Sequence, residues 1–235
     1  MSLETTGPLV DPRDVPGWLA RLVEATADTD AEAFTRLTVP EGEDPRAASV
    51  LVLFGEEPGH GPDVLLLRRA DTLGSHAGQV AFPGGGADEG DRGPIDTALR
   101  EAEEETGVEV SGIRPVALLP RLYIPVSRFA VTPVLAHWAE PSPVHAVDPG
   151  ETAAVARVPV AELADPANRF LVRSPDRRYK GPAFTVGELF VWGFTAGVLA
   201  ALLRLGGWER PWDHTDVRDL DVAWARHMER GTSRE

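Results

Sequence analysis

The sequence contains no cysteine, which excludes disulfide frameworks, thiolate-bound zinc, iron–sulfur clusters and thiol nucleophiles, and leaves any metal to oxygen or imidazole ligands. Positive charge is scarce. Lys and Arg together number 23 against 37 Asp and Glu, a net charge of -14, and Lys180 is the only lysine. A surface of that sign is unsuited to phosphate backbones or anionic bilayers, so neither nucleic acid nor membrane is an expected partner. Long hydrophobic runs are missing as well. The longest uncharged stretch that is mainly apolar, residues 189–203, holds 15 residues, short of the ~20 that cross a bilayer as a helix. The opening MSLETTGPLV lacks the basic-then-apolar order of a secretory signal. A cytoplasmic protein is expected.

What is present fits an ordinary globular chain: 43% hydrophobic and 26% charged over 235 residues. At roughly 150 residues per domain that length allows one enlarged domain, and no linker or composition break divides it. The chain is therefore expected to form a single α/β domain over residues 1–235. Its parts are an N-terminal helix and loop over about 1–45, a core over about 46–205 and a polar tail over about 206–235 that frays. Trp18, Leu19, Leu22 and Val23 recur at helical spacing. The runs AASVLVLF (47–54) and DVLLLRRA (63–70) read as adjacent strands, and VEVSGIRPVALLP, YIPVSRFAVTPVLAHW and TAAVARVPV supply three or four more. The segment 187–205, apolar almost all round, reads as a helix laid across the sheet, with Trp192 and Phe194 in its core face.

Between the second strand and the next helix lies GSHAGQVAFPGGGADEGDRGP (74–94). It is too glycine-rich for a helix and too long for a simple turn, and so is expected to be a functional loop with a brief strand at 79–82. The helix that follows is delimited by Pro94 at its first position and Gly107 just past its end. At 100° per residue, Glu101, Glu104 and Glu105 fall at 0°, about -60° and about +40°, while Glu103 falls at about 200° on the far side. Such a trio is either a solvated acidic face or a cation site. Like charges at i,i+4 repel by a few tenths of a kcal/mol, and the helix C-terminus disfavours anions. A hard divalent ion, Mg2+ or Mn2+, reverses both penalties. Arg100, at about -100° from Glu101, can brace a carboxylate through two parallel hydrogen bonds.

At these residues the sequence resembles the Nudix box: Gly, five residues, Glu, seven residues, then REUXEEXGU with U aliphatic. REAEEETGV (100–108) matches the second half at every fixed position, with Ala102 as a small U. In the first half, counted from Gly85, Asp91 takes the place of the box glutamate and one extra residue precedes Arg100. The resemblance implies a Nudix-type α/β/α sandwich with a mixed β-sheet. It further implies a divalent-metal-dependent hydrolase of nucleoside diphosphate derivatives. Glu101, Glu104, Glu105 and the Gly84 carbonyl would be metal ligands, and Arg100 would orient the acids.

The likeness extends upstream and downstream. LLLRRADTLGSHAGQVAFPGG (65–85) is similar to the segment preceding the box in coenzyme A pyrophosphatases, matching at Leu65, Leu66, Arg69, Ala70, Gly78, Phe82, Pro83, Gly84 and Gly85. Leu67 and Gly74 stand where that pattern has Thr and Arg. YIPVSRFAVTPVLA and VWGFTAGVLAALL carry the likeness to about residue 205. This implies cleavage of coenzyme A or a derivative into adenosine 3′,5′-bisphosphate and a phosphopantetheine. Gly84, Gly85, Arg69 and His76 would contact the substrate, and Glu151 would serve the metal or the attacking water. A pyrophosphatase acting on ADP-ribose is the alternative, and a non-catalytic nucleotide sensor a more distant one. The resemblance also leaves room for a homodimer.

Overall fold

An apolar run with side chains pointing to both faces is stable only when a helix layer covers each side of its sheet. The run at 46–57 has that character, and its surroundings follow from it. The computed structural model describes residues 6–35, 37–72, 74 and 76–232; residues 1–5, Arg36, Leu73 and Ser75 of the pre-box segment and the last three residues of the tail lie outside them.

The bridge β1 (Gly7–Pro8) and helix α1 (Gly17–Ala25) lead into β2 (Arg46–Glu57) and β3 (Gly61–Arg69). After two short strands, β4 (Val80–Ala81) and β5 (Gly84–Gly86), comes α2 (Pro94–Thr106). Then follow β6 (Ile113–Leu118), β7 (Leu122–Ile124), β8 (Phe129–Trp138), β9 (Thr152–Pro159) and α3 (Val160–Leu163). These strands form one sheet in the order β1-β6-β8-β2-β3-β4, with β5 paired to β2, β7 to β8 and β9 to β3. It is a mixed sheet: β2 and β8 run parallel, with Ser49 opposite Thr132, and the other pairs are antiparallel. Phe54 faces Val64 across the expected β2–β3 hairpin.

The two faces of β2 account for the layers. Leu51 and Leu53 are buried against Ala98 and Ala102 of α2. Val52 and Phe54 point the other way, into a cluster with Leu19 and Leu22 of α1 and Leu199 and Leu202 of α4 (Gly193–Leu205). The result is the α/β/α sandwich expected from the sequence. Helix α2 ends at Gly107, whose φ of +66° suits glycine, and whose N–H donates to the Glu103 carbonyl at 2.9 Å. Any Cβ there would also stand 2.9 Å from the His145 ring.

The C-terminal third departs from the sequence reading. Residues 187–205 are not one helix: Gly187 at φ +55° turns the chain, and β12 (Leu189–Val191) folds back on β11 (Lys180–Val186) before α4 begins. The turn is Gly-Glu between β-prone residues, a hairpin signal that the apolar run obscured. Trp192 therefore precedes the helix and lies against Tyr179, ring centroids 6.3 Å apart. With β10 (Arg169–Arg173) and β13 (Val217–Asp219) these strands form a second sheet, β12-β11-β10-β13. The tail is ordered as α5 (Leu220–Thr232), because Leu220, Ala223 and Trp224 pack on Phe170 and Phe190. Among the described residues no helix is long and apolar enough to cross a membrane.

Leu53 links the central strand to α2, so Leu53→Ala should destabilise the protein by about 2–5 kcal/mol, read from the urea midpoint. A loss below 0.5 kcal/mol would contradict this placement of the core.

Candidate active site

Helix α2 can lie directly on β5 because three consecutive glycines, Gly84 to Gly86, present no side chain to it. Antiparallel pairing sets Val50 opposite Gly84 and Ser49 opposite Gly85. A Cβ on Gly85 would come within 2.5 Å of the Glu101 carboxylate. The glycines thus make the hollow into which the helix acids fold.

The acids are not equivalent. The Glu105 side chain is 10% exposed and Glu101 18%, while Glu104 is 58% exposed. Glu103 is exposed on the opposite side of the helix. Glu105 Oε2 accepts the Gly84 N–H at 2.9 Å, and its other oxygen stands 3.9 Å from Arg69 Nη1. The β3–β9 ladder shifts register between Arg68 and Arg69, an irregularity of the kind that re-aims a side chain. Arg69 Nε is buried and has no hydrogen-bond partner. Glu151 enters from the start of β9, where its carbonyl accepts the Ala70 N–H at 2.8 Å and its charge acts on Glu105.

Arg100 ties these groups together. Its Nε and Nη2 donate to the two oxygens of Asp91 at 3.1 and 3.0 Å, its Nη1 to Glu101 and Glu104 at 3.0 and 3.1 Å, and its Nη2 also to the Gly86 carbonyl at 3.1 Å. Asp88 adds an ion pair at 3.8 Å. Asp91 also accepts the Thr97 hydroxyl and the Asp88 N–H, at 2.8 and 2.9 Å. The Arg100 hydrogen bonds, chiefly, hold the Asp91 carboxyl well below the usual range. Asp91, standing where the box glutamate does, is thus the anchor of the guanidinium. Asp88, Thr97 and the Gly86 carbonyl were not singled out from the sequence; only the position of Thr97, one turn before Glu101 on the same helix face, signalled its part.

The buried acids behave differently from Asp91. Desolvation, more than any neighbour, pushes Glu105 up to about 7, with the Gly84 N–H and Arg69 pulling down and Glu101 and Glu151 pushing further up. Desolvation also raises Glu101, outweighing its bond to Arg100. Of these two acids only Glu101 is hydrogen-bonded by a guanidinium, that of Arg100; the nearest cation to Glu105 is Arg69, at 3.9 Å. Among the described residues, no three carboxylates or imidazoles already stand as a metal-ligand set; Arg100 Nη1 bonds both Glu101 and Glu104. Glu104 is exposed enough to rotate off it. Oxygen donors with unmatched negative charge are the chemistry that Mg2+ and Mn2+ prefer, so the residues fit such an ion. His76 lies apart: it is exposed, at φ +56°, with Nδ1 3.0 Å from Gln79 Oε1.

A folded-state Glu105 that keeps its proton to about pH 7, against the ordinary 4.5, adds stability below pH 4.5 and loses it as pH rises to about 7. In metal-free buffer, wild type should therefore lose on the order of 3 kcal/mol relative to Glu105→Gln between pH 4.5 and 8, read by urea unfolding. A pH-independent difference between the two would contradict the burial of this charge.

The family model for the NUDIX domain matches residues 44–178. The chain is 39% identical over 170 residues to the uncharacterized Nudix hydrolase NudL of Cronobacter sakazakii, covering 71% of this chain and 85% of that one. It is 36% identical over 165 residues to the Escherichia coli protein of the same name, covering 68% and 83%. Among solved structures it is similar to RenU, a Nudix hydrolase of M. smegmatis, with a TM-score of 0.48 and 20% identity over 72% of this chain and 91% of the other.

Proposed function

Because the chain belongs to the Nudix family, we propose that it is a Mg2+- or Mn2+-dependent pyrophosphatase that cleaves coenzyme A or a close derivative. The observation that carries the chemistry is the pair of desolvated carboxylates, Glu101 and Glu105, folded onto a glycine strand with too little positive charge to match them. Glu101, Glu104, Glu105 and the Gly84 carbonyl would hold the ion. When bound, it supplies charge neutralisation at the pyrophosphate oxygens and a lowered pKa for the attacking water.

The chain's own groups divide the remaining work. Arg100, fixed by Asp91, keeps Glu101 and Glu104 aligned along the helix. Arg69, whose Nη1 stands 3.9 Å from Glu105 and whose buried Nε has no partner, is suited to a phosphate oxygen. Water adds to phosphorus, the bridging P–O bond breaks, and a glutamate of the site, with Glu151 beside it, accepts the proton. His76 would contact the substrate from the rim.

The coenzyme A assignment rests on the likeness at residues 65–85. Leu67 and Gly74, which depart from that pattern, favour ADP-ribose or another nucleoside diphosphate derivative as the second reading. Incubation with Mn2+ and a panel of coenzyme A, NADH, ADP-ribose and dinucleotides, with products identified by mass spectrometry, separates the two. Release of adenosine 3′,5′-bisphosphate supports the first. Cleavage of ADP-ribose with coenzyme A untouched selects the second, and no cleavage of any member overturns the enzymatic reading.

Glu104→Gln and Glu105→Gln should each lower turnover at least about a hundredfold with the fold intact, since an amide cannot replace an anionic ligand. A loss below tenfold would contradict the assignment.

A further inference from the structure

Residues 76–79 of the β3–β4 loop bond the backbone of Arg69, and they are approached from a part of the chain far outside the matched residues 44–178. Within the loop, Arg69 N–H donates to the Gln79 carbonyl at 2.9 Å and Gln79 N–H to the His76 carbonyl at 3.2 Å. Asp71 pairs with Arg68 at 3.0 Å. At the centre sits Gly78, buried and at φ +67°. A Cβ there would stand 2.7 Å from Asp71 Oδ1 and 3.3 Å from Trp224 Cζ2. The six-membered ring of Trp224, on α5, is thus in close reach of the turn that clamps the Arg69 backbone.

Trp224 is itself seated. Its ring lies 5.7 Å from Phe190, which stacks on Phe170 at 6.0 Å. Phe190 belongs to β12, which lies against β4. The second sheet and α5 therefore form a prop behind the loop, with Trp224 as its tip. Aromatic rings lose little conformational freedom on packing, and a flat ring against a glycine permits close approach of a rigid wall to backbone.

We propose that α5 belongs to the substrate-binding apparatus, with Trp224 a positioning residue that holds the β3–β4 loop and, through the Gln79–Arg69 hydrogen bond, fixes Arg69 at the pyrophosphate subsite. The proposal rests on the pyrophosphatase reading only for what Arg69 does; the mechanical link between Trp224 and the loop is independent of it. Loosening the loop weakens ground-state binding through Arg69 while α2 keeps its hydrogen bonds to Arg100 and Gly84, so the effect falls mainly on KM.

The test uses the full-length protein with Trp224→Ala, and Trp224→Leu as a second variant that keeps apolar bulk against Phe190. Amide hydrogen exchange is read at Arg69 and Gln79, with α2 amides as the internal reference. Both variants should speed exchange at Arg69 and Gln79 at least tenfold while α2 changes less than twofold. KM for whichever panel pyrophosphate the wild type cleaves should rise at least fivefold, with kcat within twofold. Unchanged exchange at Arg69 and Gln79 in Trp224→Leu overturns the proposal, as does a fall in kcat at constant KM. Exchange is measured without substrate, so a wild type that cleaves nothing would sink the pyrophosphatase reading while the exchange result still decides the link.

Discussion

The five donors of one guanidinium hold the site in shape. Arg100 spends them on Asp91, Glu101, Glu104 and the Gly86 carbonyl, and thereby joins the loop before α2, the helix and the glycine strand beneath it. Without it, four carboxylates within reach of one another would repel, and the helix would have no polar tie to β5 at this end. A lysine offers a point charge and cannot span Asp91 while reaching the other two acids. The geometry of the acidic face is thus set by a cation that the protein supplies itself.

That arrangement leaves a deliberate imbalance. The guanidinium satisfies Asp91 fully, Glu101 partly and Glu105 not at all. Glu105 has one backbone N–H and a distant Arg69, and burial makes its charge unfavourable near neutral pH. In a chain of net charge -14, an anionic substrate is also repelled at long range. On the proposed reading, a divalent cation would meet both problems, since it would compensate the buried acids and give the phosphate oxygens something to approach. Stability forgone at Glu105 in the metal-free protein would then be the counterpart of affinity for that ion.

Much of this was legible in the residues. Pro94 and Gly107 bracket α2 where they were expected to, and the 100° rotation correctly separates Glu103 from the other acids. The uninterrupted apolar run at 47–54 anticipates a buried strand, as its two covered faces bear out. What the sequence hid has physical causes. β5 is made only of glycines, which carry no strand propensity, and is a strand because β2 offers it an edge. The 187–205 run is uniformly apolar, so periodicity could not distinguish a hairpin followed by a helix from one long helix. The tail looked polar because α5 buries only a narrow stripe through Leu220 and Trp224. The Asp91–Arg100 pair spans nine residues and a loop, a distance that local spacing does not encode.

The central claim, that Glu101 and Glu105 are built to hold a divalent ion, is most directly tested by titrating Mn2+ into the protein and following the free-ion electron paramagnetic resonance signal. The account predicts that the wild type removes the signal in a stoichiometric, saturable way without any nucleotide present, and that Glu101→Gln with Glu105→Gln abolishes this binding. Equal Mn2+ uptake by the double variant, or none by the wild type, would contradict it.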